Sequence, residues 1–178
     1  NDPLRNRIDI EIPFVETDLQ LNNYFMIGNA LPPGLPPLPK SVQEFFPGAV
    51  PANPAMETIT ASGKGFAAGA GAHLDASVNY AILYSDIVFD MGFDALVQKF
   101  EGDCGENGKP GIDGWYAKGQ AYAYCNVSGG LDIDLWFYQG KADFMSFTAG
   151  ALLQMQGPNP MRVNGRIKFD VSILGGLV

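Results

Sequence analysis

The chain has 178 residues, 47% of them hydrophobic and 17% charged, which is enough for one domain with a sizeable core and excludes a disordered segment. Its formal net charge of −8 repels phosphate and argues against a nucleic-acid partner. No apolar run approaches the roughly 20 residues of a transmembrane helix. The 22 glycines and 13 prolines point to β-structure joined by turns.

In residues 7–15, Ile8, Ile10 and Ile12 alternate with Asp9 and Glu11, the period of a half-buried strand. Pro13 cannot donate to a ladder, so the strand ends there or lies at an edge. A second strand is expected over residues 19–27. Residues 30–40 contain five prolines and are expected to be extended, polyproline-like and pinned by their leucines across the outside of a sheet, covering an apolar strip or an edge. A polyproline ligand for a recognition module is the sharper alternative. Ser41 and Glu44 have capping-box spacing before Pro47-Gly48, which predicts one short helix. The whole stretch 30–58 reads as a Pro-rich loop carrying that helix.

From residue 61 the pattern is strand after strand. Residues 63–74 are rich in glycine and alanine, and glycine at alternate positions admits a ring or a backbone. Ala76, Val78, Tyr80, Ile82 and Tyr84 share one parity, and the phase flips at Ser85, which marks a bulge or a tight turn. Ile87, Phe89, Met91 and Phe93 then oppose Asp86, Asp90 and Asp94. After a turn-rich loop over 101–114, strands are expected over 115–127, 131–138, 142–155 and 162–174. In the last, Ile167, Phe169, Val171 and Ile173 are expected inward, with Arg166, Lys168, Asp170 and Ser172 outward. Trp115 is the expected core anchor. The expected architecture is all-β: an antiparallel sandwich or strongly curved sheet of about eight or nine strands with one short helix, in a single domain over residues 1–178.

Three phrases stand out: Gly111-Ile112-Asp113-Gly114-Trp115-Tyr116-Ala117-Lys118-Gly119-Gln120-Ala121-Tyr122-Ala123, then Ala151-Leu152-Leu153-Gln154 with Pro158-Asn159-Pro160, then Leu174-Gly175-Gly176-Leu177-Val178. In that order, and with the proline segment 38–43, the chain resembles an uncharacterised domain of very large exported or cell-surface proteins of Bacteroidota. The resemblance covers roughly residues 20–178. It implies export, a β-rich architecture and a chain that continues past Val178; it brings no catalytic residues.

His73 is the only histidine, so a Ser-His-Asp or Cys-His arrangement would have to use it. No Gly-x-Ser-x-Gly elbow accompanies it, and a strand histidine facing solvent or a neighbouring carboxylate is the ordinary reading. Cys104 and Cys125 are the only cysteines. Their spacing and an exported setting make them a candidate disulfide, with a partner elsewhere as the alternative. Two thiols and one histidine argue against a structural zinc site. Asp103, Glu106, Asn107 and Asp113 form an acidic loop that departs from the EF-hand pattern and reads as solvated. Asp132 with Asp134, and Asp86 with Asp90, have a spacing compatible with paired glycosidase carboxylates, yet a solvent face of a sheet alternates in the same way. Trp115, Tyr122, Trp136 and Tyr138 are candidate ligand-facing aromatics for a sugar, against the plainer reading of cross-strand packing.

The expected function is therefore a non-enzymatic structural or interaction domain of a bacterial surface or secreted assembly, with no cofactor and no metal. Its partners would be protein: the rest of its own chain, other subunits or further copies. The alternatives are a carbohydrate-binding module, a small outer-membrane β-barrel, whose lipid-facing strands alternate with the same period, or a fibre or sheath subunit that assembles by strand addition at its C-terminal edge.

Overall fold

Long alternating stretches form one sheet among the described residues. The computed structural model describes residues 4–8, 15–48, 61–101, 109–135 and 138–173. The elements are β1 (Leu4–Ile8), β2 (Val15–Gly28), α1 (Lys40–Phe45), β3 (Ala61–Tyr80), β4 (Leu83–Phe100), β5 (Trp115–Leu135), β6 (Tyr138–Gly157) and β7 (Arg162–Ile173). The strands lie in the order β1-β2-β3-β4-β5-β6-β7, each antiparallel to the next. The result is an open meander of six long strands and the short β1.

All-β character and the single short helix are as expected. Among the described residues there is one sheet and no sandwich, and the strands are fewer than eight or nine because they are longer. Residues 115–127 and 131–138 belong largely to one strand, β5, which runs 21 residues. Within β5, Leu131 keeps the parity of Val127; the register shift at Gly129/Gly130 places an extra residue, Phe144, in the facing strand β6, as a bulge does. The phase flip near Ser85 has a different cause. The β3–β4 hairpin turns at Ala81-Ile82, with Ala81 at φ 55°, so Tyr84 leaves the face that Tyr80 occupies.

Register divides the sheet into two chemically distinct faces. One level across it reads Gln20, His73, Asp90, Tyr124, Gly150 and Lys168. The adjacent level of opposite parity reads Leu21, Ala72, Met91, Ala123, Ala151 and Ile167. The first belongs to a polar face, the second to an apolar one.

Residues 31–39 and α1 lie across the polar face as a strap. A small core forms beneath: Val42, Phe45, Phe46 and Leu152, with Leu38, Tyr122 and Tyr124 against them. The strap does cross the sheet, as expected. It covers a mainly polar strip, however, in place of an apolar one.

The inward and outward expectation for β7 is reversed. Ile167 is 85% and Phe169 71% exposed, whereas Arg166 donates to the carbonyls of Pro47 and Gly48 under the strap and the Lys168 ammonium lies 4.4 Å from the Phe45 ring centroid. Trp115 is not the core anchor. It is 41% exposed, while the next residue, Tyr116, is 1% exposed, because Tyr116 has the polar parity and meets Phe100 and the Pro160 carbonyl there.

Candidate functional site

Proline has no N–H, so a proline-rich segment crossing a sheet offers carbonyl acceptors that need donors. The polar face supplies them from side chains. Gln98 Nε2 donates to the Pro32 carbonyl at 2.7 Å and Gln120 Nε2 to that of Pro36 at 2.9 Å. The Lys118 ammonium donates to Pro33 at 3.3 Å. Gln120 also donates to Asp94, which accepts from the Tyr24 hydroxyl.

Glycines make the seats for the rings. A Cβ on Gly92 would stand 2.5 Å from the Tyr122 hydroxyl, and one on Gly71 3.1 Å from it, so Tyr122 of β5 lies flat across β4 and β3. On β6, Gly150 receives α1: a Cβ there would meet Phe45 and Phe46 at 3.0 Å. Phe45 packs edge-on against Phe46 and Tyr124, with centroids 5.1 and 5.5 Å away. Gly150→Leu is expected to lift α1 off the sheet, with an overpacking cost of about 1–3 kcal/mol. Limited proteolysis checks this: residues 31–48 of the variant should be cut much faster than in the parent, and equal rates would refute the seat.

The expected capping box does not form. The helix begins after Pro39 with no side-chain cap bond, because the Ser41 hydroxyl donates instead to Asp90 Oδ2 at 2.5 Å. His73 Nδ1 meets the other oxygen of Asp90 at 2.7 Å, and Asp90 is 3% exposed. Serine and histidine thus flank a carboxylate. In a catalytic triad the imidazole stands between the other two, so this cluster is a clamp that ties α1 to β3 and β4.

The remaining candidates scatter. Tyr122 is under the strap and Trp115 at the rim of the apolar face. Tyr138 opens β6, with its side chain outside the described part, and Trp136 lies outside the described residues. Cys125 sits on the apolar parity of β5, opposite Phe89 and Ala149; Cys104 lies outside the described residues, as do Asp103, Glu106 and Asn107. Asp113 occupies a turn at φ 53°. Asp86 accepts from Ser77. Asp132 is exposed, and the Asp134 side chain is not described.

Sequence reasoning missed the buried glutamines Gln98, Gln120, Gln154 and Gln156. No local signal marked them: a glutamine in an alternating strand reads as solvent-facing until the element that covers its face is known.

No protein-family model matches the chain, and neither does any curated protein or solved structure.

Proposed function

We propose that this domain is a non-enzymatic structural element of an exported assembly, a section of β-barrel wall whose apolar face meets lipid and whose polar face holds the strap. One observation carries the reading. Among the described residues of β2 to β7, no charged side chain has the apolar parity between the level of Lys99 and that of Leu83. Phe25, Phe93, Ile167, Phe169 and Val171 on that face are all more than half exposed.

A water-facing sheet places its charges outward. Here they line the covered side, which is the arrangement of a wall that is apolar outside and polar within. The meander of next-neighbour strands is that of an up-and-down barrel. On β4 the apolar residues run from Ile87 to Val97, ten steps or about 34 Å along the strand. At the usual tilt of such strands they span about 25 Å of height, the apolar band of an outer-membrane barrel. Trp115 stands at one rim and Tyr80, 67% exposed, at the other, where amphipathic rings meet headgroups. No described helix is long and apolar enough to cross a membrane; the crossing elements are strands. Closing such a wall takes further strands, from the rest of a longer chain or from other copies.

The test places a single fluorescent thiol label at Ile167→Cys or Lys168→Cys, in a background of Cys104→Ser and Cys125→Ala, after reconstitution into vesicles. Acyl-chain nitroxide lipid should quench the label at 167 and leave that at 168 bright. Equal emission from both, with the chain monodisperse in buffer without detergent, would overturn the proposal.

A further inference from the structure

Beneath the strap, a cavity of about 380 Å³ opens between Leu35, Pro36 and Phe46 on one side and Lys118, Gln154 and Gln156 on the other. That volume suits a small ligand. One of its walls is chemically incomplete. Gln154 is 3% exposed, and its Oε1 has no hydrogen-bond partner among the described residues. Its neighbour Gln120 is already committed, donating to Pro36 and Asp94. A buried carboxamide oxygen left without a donor is unusual, because burial removes the water that would have served it.

We infer that this cavity is a binding site for a neutral, hydroxyl-bearing ring compound of monosaccharide size. The chemistry narrows the class in three steps. An acceptor oxygen needs a donor, which a carboxylate or a phosphodiester does not supply at neutral pH. A cationic donor is opposed by the Lys118 ammonium, which sits in the same wall and points its proton at Pro33. A hydroxyl remains, and it both donates to Oε1 and accepts from the amide nitrogen of the same side chain. The facing wall of leucine, proline and phenylalanine meets the C–H face of such a ring. This inference stands apart from the lipid-facing proposal, since the cavity lies on the opposite face of the sheet.

The test titrates D-glucose, D-galactose, D-mannose, N-acetylglucosamine and myo-inositol, by calorimetry, into the chain in lauryldimethylamine oxide micelles, a detergent without a sugar head group. At least one compound should saturate at one per chain. Gln154→Met keeps the shape and removes both donor and acceptor; it should weaken that binding by about tenfold or more. Leu35→Trp fills the cavity from the strap side without altering the sheet and should abolish it, so the outcome does not depend on one variant folding. No saturation by any of the five compounds, or equal binding to parent and both variants, would overturn the inference. A Gln154→Met protein that melts higher while the parent binds none would show an acceptor satisfied by water alone.

Discussion

Tyr116→Ala is expected to destabilise the protein by about 3–5 kcal/mol, the range for emptying a large aromatic site. Trp115→Ala, one position away, should cost under about 1 kcal/mol, as substitutions away from packed features do. Tyr116 is 1% exposed. Its hydroxyl donates to the Pro160 carbonyl at 2.9 Å, and its ring stands edge-on to Phe100, with centroids 6.0 Å apart. Trp115 points to the other face. Unfolding by denaturant, followed by circular dichroism, measures both. Equal losses, or a larger loss for Trp115, would mean that burial follows side-chain size and not the parity that the strap covers.

That contrast marks what could be read beforehand. Period-two alternation located the strands well: the expected 19–27 became β2, and 162–174 became β7. Alternation reports that two faces differ; it does not say which is covered. For β7 the ordinary rule, apolar inward, put Ile167 on the wrong side, because the covering element is a strap of carbonyl acceptors and the apolar face is the one left open. The phase flip near Ser85 was equally ambiguous: it reflects a hairpin at Ala81-Ile82, and a bulge within a single strand would look the same in a one-dimensional pattern. The short helix was legible from Ser41 to Phe46. Its start was misread because Ser41 found a better acceptor in Asp90, a residue 49 positions away. Long-range partners of this kind, and the glutamines that hold the prolines, leave no local trace.

Phe93→Arg decides most sharply what the open face meets. Phe93 is 53% exposed and lies near the middle of the apolar run on β4. At the midplane of a bilayer an arginine on a lipid-facing strand costs about 2–4 kcal/mol. In water, at a half-exposed site with no partner lost, the change stays within about 0.5 kcal/mol and improves solubility. Folding into phosphatidylcholine vesicles, titrated with urea, should therefore lose about 2–4 kcal/mol against the parent. A variant that folds in plain buffer with undiminished stability would remove lipid from consideration.

The strap has a further property in its own sequence. Leu31-Pro32-Pro33-Gly34 is followed by Leu35-Pro36-Pro37-Leu38, a tandem motif of four residues. Pro32 and Pro36 hold equivalent places in it, and each is gripped by a glutamine, Gln98 for the first and Gln120 for the second. Sliding the strap by one motif, about 12 Å in polyproline geometry, would offer Gln98 the same acceptor it now holds. The same slip would carry Pro36 away from Gln120 and leave that side chain opposite Lys40, the first residue of α1, so one of the two grips would be kept and the other lost. The two non-repeating ends add to this alignment. At one, the Leu31 amide donates to the Gly63 carbonyl; at the other, Ser41 is bound to Asp90 and the Phe45-Phe46 pair sits on Gly150. The repeat holds the middle, and the ends fix its zero.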